Sequence, residues 1–211
     1  LTTTLMAGCG DKYTKEKEAM TKSEKAAMAV ELPLPDKLDT EKQTMQSRQN
    51  YWKKIEELMI AEEKVLAVMR KSDDQIAELI AKTDSESDKK KLLEYQEQLR
   101  KERREFVKKV SKGRLHGDTF VVGIGSTWQE VEMAYGKPLN PQKDNTGAKV
   151  YEYDGIKFAD HVGGGVPSKE KIMRWKSKVV NEVFVKGSNI ASDAGVKIGM
   201  DSDTVYKVLQ A

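Results

Sequence analysis

A single cysteine among 211 residues leaves this chain without the paired thiols of a disulfide-stapled secreted domain. It also has no run of about twenty apolar residues, which excludes an integral membrane bundle. Neither sign of charge dominates, because 37 Lys and Arg stand against 34 Asp and Glu. The small net charge of +3 therefore argues against a nucleic-acid binder held by bulk charge. With 34% of residues charged, we expect no single core through the whole chain.

Charge and glycine are distributed unevenly along the chain. Residues 1–112 hold 46 charged side chains, whereas residues 113–211 hold 25. Glycine runs the other way, since 13 of the 15 glycines lie in residues 113–211. This contrast predicts two architectures joined near Gly113, which we call the arm (residues 38–112) and the head (residues 113–211).

The N-terminus carries a candidate membrane address. The segment Leu5-Met6-Ala7-Gly8-Cys9 resembles the lipobox of bacterial lipoproteins, in which small residues precede a cysteine that receives a lipid. The resemblance implies that residues 1–8 are the remnant of a signal peptide and that Cys9 anchors the chain to a membrane surface. Gly10 after the cysteine favours the outer over the inner membrane. The alternative is an ordinary free cysteine.

Residues 9–37 read as a tether with nascent helix, because their few apolar residues form no broad stripe and Pro33 and Pro35 end the segment. The arm then begins with a stretch free of glycine and proline, residues 38–82. Nine positions spaced alternately three and four apart form a heptad seam with seven apolar members. These positions are Trp52, Ile55, Met59, Glu62, Leu66, Met69, Asp73, Ile76 and Ile80.

A second helix is predicted over residues 86–112, because Ser85-x-x-Asp88 is a capping-box variant and Gly113 provides a stop. The two helices would form an antiparallel hairpin or coiled coil. Because the first is longer, part of its seam needs another partner, either the tether helix or a second copy. The basic run of residues 100–112 is interpreted as a solvated face, because glutamates are interleaved with it, and the alternative is contact with an anionic lipid or polymer. The arm is thus a spacer or a self-association device.

The head contains an internal repeat. The segment Val122 to Val131 recurs as Val196 to Val205, with an apolar entry, a turn glycine (Gly125, Gly199) and a helix cap (Thr127, Asp201). The first repeat covers about residues 118–191, and the second begins near residue 192 and is incomplete. Between the copies, alternating strands flank a hairpin turn at Asp154-Gly155. The predicted fold class is α+β, with a helix covering an antiparallel sheet.

This pattern, followed by Tyr135-Gly136-Lys137-Pro138, looks like the family of small envelope lipoprotein domains of the SmpA/OmlA (BamE) type. It also resembles the fold of β-lactamase inhibitor proteins, in which such units occur in tandem. The resemblance covers about residues 118–211. It implies a lipid-anchored, non-enzymatic module whose sheet or loops meet a protein partner. The long arm departs from the small members of this family, so their specific partners do not carry over.

The sequence offers no catalytic constellation. His116 and His161 lack metal-ligand spacing, so no metal or cofactor is predicted. Residues 163–169 lack the order of a phosphate loop and are read as a flexible hairpin loop. Aromatic residues are the better candidates, since they concentrate binding energy at interfaces. The candidate binding residues are Trp128, Tyr135, Tyr151, Tyr153 and Trp175. About half of them are expected to serve the core, and those left exposed would be interface anchors.

The leading hypothesis is a bacterial cell-envelope lipoprotein whose arm projects a head that binds an envelope protein, as an assembly component or an inhibitor. The alternative is a periplasmic holdase-like chaperone that uses the arm, and an enzyme ranks third. We expect contact with a membrane surface through Cys9, self-association through the arm as an option, and no nucleic-acid partner.

Overall fold

The computed structural model describes residues 12–35, 44–111, 121–123, 125–138, 142–143, 149–160, 179–180, 182–185, 200–201 and 204. It is a mixed structure of helices and one antiparallel sheet, in agreement with the predicted α+β class. The helices are α1 (Thr14–Met28), α2 (Met45–Lys82), α3 (Glu86–Ser111) and α4 (Trp128–Tyr135). The strands are β1 (Gln142–Lys143), β2 (Lys149–Tyr153), β3 (Ile156–Ala159) and β4 (Glu182–Val185).

Local signals set where the two arm helices begin. At α2, the backbone amide of Ser47 donates to Oγ1 of Thr44 at 3.1 Å, and the amide of Thr44 donates to Oγ of Ser47 at 3.0 Å. At α3, the amide of Asp88 donates to Oγ of Ser85 at 3.2 Å, which is one half of the predicted box. Each bond satisfies a donor that the first helical turn cannot pair internally.

The predicted seam of α2 faces the protein interior. Its apolar members Ile55, Leu66, Met69 and Ile76 are almost fully buried, as are Leu92 and Leu99 of α3. A three-residue connection, 83–85, turns the chain back so that α3 runs antiparallel to α2. The helical hairpin is therefore present, held by apolar burial along the facing sides.

The tether prediction is corrected by α1. Residues 14–28 form a regular helix that packs against both α2 and α3. Only Met20 and Glu24 of this helix are buried. Its apolar stripe is therefore too narrow for the sequence to identify it as a packed helix. The unpaired part of the α2 seam was predicted to need either the tether helix or a second copy of the chain as its partner. In this structure the tether helix, α1, packs there.

A buried ion-pair cluster joins α1 to the two arm helices. Arg103 of α3 donates to both carboxylate oxygens of Glu24 on α1, at 2.9 and 2.6 Å. Its Nη1 donates to the carboxylate of Asp73 on α2 at 3.0 Å, and its Nη2 to the carbonyl oxygen of Met69 at 3.1 Å. Arg103 is only 1% exposed. The interpretation of residues 100–112 as a solvated face is therefore wrong for this residue.

The sheet has the order β1-β2-β3-β4 with antiparallel neighbours throughout. The predicted Asp154-Gly155 turn joins β2 to β3, pairing Tyr153 with Ile156, and Gly155 has φ +75°. That left-handed conformation is accessible to glycine at little cost. Tyr151, Phe158 and Val183 are cross-strand neighbours on one face of the sheet. This face carries the side chains that pack with α4.

The arm and the head share a hydrophobic core, which corrects the expectation that they pack separately. One cluster of buried residues includes Ile55 and Leu58 of α2, Val107 of α3, and Trp128 and Phe158 of the head. Helix α4 lies between the sheet and the arm, and its residues 128 and 130–134 are all buried. The arm is thus a covering layer of the head, and the joint predicted near Gly113 lies outside the described residues.

Candidate functional site

The first element of the site is the N-terminus of α4. Gly125 turns the chain at φ +97°, a conformation that side chains with a Cβ rarely adopt. Its amide donates to the carbonyl oxygen of Val180 at 2.8 Å, and the amide of Val180 donates to the carbonyl oxygen of Ser126 at 2.8 Å. This pairing aligns the turn with the segment that leads to β4. The turn thereby places Thr127 at the start of the helix.

Thr127 caps α4 and also ties it to the arm. Its Oγ1 accepts from the amide of Glu130 at 3.1 Å, and the Glu130 carboxylate accepts from the amide of Thr127 at 2.9 Å. This is the capping box that the sequence predicted. The same hydroxyl donates to Oε2 of Glu62 at 2.6 Å. Glu62, a polar interruption of the α2 seam, is therefore a buried acceptor for the head.

A charged bridge lies one turn along α4. Nε and Nη2 of Arg70 donate to the two carboxylate oxygens of Glu132 at 2.6 and 2.8 Å. Nη1 of Arg70 donates to Glu63 at 2.5 Å, and Gln129 also donates to Glu63, at 3.3 Å. The hydrogen bond to Glu132 raises the pKa of Arg70 above its usual range. Paired donation to a carboxylate fixes geometry as well as charge, so this bridge orients α4 on α2.

Lys149 of β2 completes the site. Its Nζ lies 4.7 Å from the ring centroid of Trp128 and 4.7 Å from that of Tyr151. Burial lowers the pKa of Lys149, while Asp160, Glu132 and Glu63 oppose that effect. Burial also raises the pKa of the Tyr151 phenol. The ammonium group therefore packs against both aromatic rings at the point where α4, β2 and the arm meet.

The predicted binding aromatics come together, but in the interior. Trp128 and Tyr151 are 2% and 9% exposed, and their ring centroids lie 4.7 Å apart in an edge-on arrangement. Tyr135 and Tyr153 are half-buried and stack at 5.2 Å, with Phe158 5.3 Å from Tyr135. These contacts stabilise the core by burial and ring geometry. Trp128 and Tyr151 are therefore core residues and not interface anchors, the half-buried Tyr135 and Tyr153 stay candidates, and Trp175 lies outside the described residues.

A pH prediction follows from Tyr153, whose hydroxyl donates to the carbonyl oxygen of Gly136 at 2.9 Å. Burial raises the pKa of this phenol well above its ordinary value near 10. As pH rises, the unfolded chain therefore loses its proton first. The contribution of Tyr153 to the free energy of unfolding should therefore hold below about pH 10 and fall above it, by up to about 1.4 kcal/mol per pH unit. Urea unfolding from about pH 8 to 11 measures this slope.

The Tyr153→Phe variant serves as the control, because it keeps the ring but cannot ionise. It should show a shallower alkaline slope than the wild-type chain. The raised pKa values of Tyr151 and Tyr95 act in the same direction and the lowered pKa of Lys149 in the opposite one, but all three are common to both proteins and cancel in the comparison. Equal slopes in the two proteins would contradict a raised pKa at Tyr153.

Several residues of the site were not singled out from the sequence. Arg70, Glu132 and Lys149 sit among many other charged residues, and nothing in their local pattern marks them. A signal did exist at Glu62 and Asp73, the two polar positions in the otherwise apolar seam. Both now accept hydrogen bonds from another element, Glu62 from Thr127 and Asp73 from Arg103.

The second copy of the repeat is described only in part. The amide and hydroxyl of Thr204 donate to the carboxylate of Asp201 at 2.9 and 2.7 Å, a bond pattern typical of a helix cap. Gly199, like Cys9, lies outside the described residues. The repeat therefore stays a prediction, supported at one of its capping positions.

The outer face of the sheet carries an exposed row. Glu152, Lys157 and Phe184 are cross-strand neighbours on β2, β3 and β4. Phe184 is 42% exposed, and Nζ of Lys157 lies 5.3 Å from its ring centroid. An exposed aromatic ring with an adjacent cation is a feature of protein interfaces. We call these three residues the sheet row.

Within the part of the chain that the structure describes, no group of three or more His, Cys, Asp or Glu side chains is placed to hold a metal ion. Among the same residues, no helix combines the length and apolar content needed to cross a membrane. Comparison with known proteins gave no match to a family model, a curated protein or a solved structure. The resemblance to envelope lipoprotein domains therefore stays a prediction.

Proposed function

We propose that this chain is a lipid-anchored protein of the bacterial cell envelope that binds another envelope protein without catalysing a reaction. The observation that carries this proposal is how the buried and partly buried charged groups are used. Glu24, Arg103 and Asp73 join α1 to the two arm helices, and Arg70 with Glu132 joins the arm to the head. These groups fix the positions of the helices and the head relative to one another, which suits a protein that presents a rigid surface to a partner. The lipobox-like segment that ends at Cys9 is the signal for lipid anchoring in this proposal.

The partner surface that we propose is the sheet row, in place of the buried aromatics. Phe184 offers an exposed ring, and Lys157 and Glu152 offer charges of both signs beside it. An aromatic centre with a polar rim suits a protein partner. Helix α4 covers the inner face of the sheet, so this row lies on the opposite face.

The Phe184→Ala variant tests this surface. Because an aromatic anchor contributes about 2 kcal/mol or more, we expect partner capture from solubilised envelopes to fall more than tenfold. Capture is measured by cross-linking and quantitative mass spectrometry of the tagged chain. Leu93→Ala is the matched control, since Leu93 is 53% exposed on the arm, and it should capture as the wild type does. Equal capture by both variants would exclude the sheet row.

The holdase-like chaperone is the second candidate, and one feature favours it. A groove of about 410 Å³ runs between α1 and α2, where the apolar side chains of Ala19, Met20, Val68 and Leu79 lie among six polar or charged ones. A groove of this mixed character is suited to extended segments of unfolded protein, which present apolar side chains together with a polar backbone. Suppression of client aggregation by the Phe184→Ala chain, together with unchanged capture, would favour this second function over the first.

A further inference from the structure

Helix α1 covers a groove between α2 and α3, which we call the α1 seat. The seat consists of an apolar floor and one cation, namely Ile76, Tyr95, Leu99 and Arg103. Met20 of α1 packs on the apolar floor, and Glu24 of α1 binds Arg103. Because Met20 and Glu24 are four residues apart, both lie on the same face of the helix. The seat therefore binds a helix through one apolar side chain and one carboxylate at this spacing.

Tyr95 adds a contact that any helix could make. Its hydroxyl donates to the backbone carbonyl oxygen of Lys17 at 2.7 Å, and it lies 2.8 Å from Oγ1 of Thr21. Nζ of Lys17 donates in turn to the backbone carbonyl oxygen of Lys91 at 3.3 Å. Because a backbone carbonyl is present at every helical position, the bond from Tyr95 fixes where the helix lies without selecting its sequence. Selection is therefore left to the apolar side chain and the carboxylate.

Helix α1 is held in the seat by a small apolar contact. Of its 15 residues only Met20 and Glu24 are buried, and one of the two is a carboxylate. The bonds of Glu24 to Arg103 must first offset the cost of removing both charges from water. A helix of this length is also marginal on its own in water, so α1 depends on docking to stay helical. Its departure would uncover the apolar floor and the cation of the seat.

We propose that the α1 seat is a helix-binding site, which α1 occupies in the free chain and a helix of a protein partner occupies in its place. The partner helix carries a carboxylate four residues after an apolar side chain. When Glu24 leaves, Arg103 keeps its bond to Asp73 at 3.0 Å but loses both oxygens of Glu24. A carboxylate restores this pairing, whereas a basic residue would put a second cation beside a buried one. Neither the lipid anchor nor the sheet row is needed for this exchange.

A synthetic peptide of residues 12–35 tests whether the seat accepts a helix from outside the chain. The labelled peptide is titrated with the full chain and followed by fluorescence anisotropy. The chain's own α1 competes at an effective concentration on the order of millimolar, so the wild type should bind weakly. Met20→Ala in the chain weakens this competitor and leaves α2, α3 and the head unaltered. We expect that variant to bind the peptide at least about tenfold more tightly than the wild type does.

Matched substitutions in the chain and in the peptide make the result specific. Met45→Ala is the control in the chain, since Met45 is 80% exposed at the start of α2, and it should bind as the wild type does. In the peptide, Glu24→Gln should weaken binding to the Met20→Ala chain at least about tenfold, because Arg103 loses a charged acceptor. Glu18→Gln, at an exposed position of α1, should leave the binding unchanged.

Three results would overturn the exchange. The first is equal affinity of the peptide for the Met20→Ala and Met45→Ala chains, or saturable binding to neither. The second is equal binding of the Glu24→Gln and Glu18→Gln peptides, which would remove the requirement for a carboxylate. The third comes from sedimentation of the wild-type chain, where a dimer that the peptide dissociates would assign the seat to α1 of a second copy. A monomer in that measurement supports a partner helix.

Discussion

Replacing Arg103 with alanine is expected to lower the free energy of unfolding by about 3–5 kcal/mol. Arg103 and Glu24 are each 1% exposed, so the substitution leaves a buried carboxylate with neither solvent nor its partner. Burial opposes the charge of Arg103, but hydrogen bonds to Glu24 and Asp73 outweigh it and raise the pKa of the guanidinium. Urea unfolding followed by circular dichroism measures the loss.

Two further variants make this prediction specific. Arg104→Ala is the matched control, because Arg104 pairs with Glu97 at the surface and should contribute less than about 1 kcal/mol. The triple variant Glu24→Met, Asp73→Leu and Arg103→Met replaces the ion cluster with apolar side chains. It should recover most of the stability lost in Arg103→Ala, because no buried charge is then left unpaired. A loss below 1 kcal/mol for Arg103→Ala would show that the cluster does not hold the arm.

Replacing Trp128 with alanine should have an effect of similar size for a different reason. The indole is 2% exposed in the core shared by the arm and the head, and truncating such a ring costs about 3–5 kcal/mol. Lys149 also loses one of the two rings that surround its ammonium group. We expect a lower denaturation midpoint by urea unfolding, and lower partner capture only where the chain has unfolded.

Phe184→Ala is the natural comparison for Trp128→Ala. Its ring is 42% exposed, so its removal should change the free energy of unfolding by less than about 1 kcal/mol. The two variants should therefore separate stability from binding, with Trp128 governing the first and Phe184 the second. A Trp128→Ala chain with native stability and no partner capture would restore the sequence-based view of this residue as an interface anchor.

The features that could be predicted from the sequence are those determined by neighbouring residues. The caps at Ser85 and Thr127 and the turn at Asp154-Gly155 follow from short-range hydrogen bonds and backbone freedom, and all three are present. The buried face of α2 could also be predicted, because a repeated spacing of apolar residues identifies a helix face without knowledge of its partner.

Features that depend on distant residues were missed for a common physical reason. The docking of α1 depends on Glu24 meeting Arg103, a pairing across the fold that no local pattern reports. Which aromatic candidates serve the core and which an interface cannot be decided while the covering layer, the arm, is treated as a separate unit, and Trp128 and Tyr151 prove to be core residues. Burial is a property of the assembled layers, so an aromatic residue cannot be assigned to core or interface before its cover is known.

The pairing of Glu24 with Arg103 also bears on the order of folding. The two residues are 79 positions apart, and synthesis proceeds from the N-terminus. The residues of α1 are therefore synthesised long before Arg103, the residue that neutralises the buried carboxylate of Glu24. Until α3 has been made, α1 is too short to be stable alone in water. Packing of α1 against α2 alone would bury Glu24 without its cation, so we expect α1 to dock stably only once Arg103 has been made, and a chain that ends before residue 103 to leave α1 undocked.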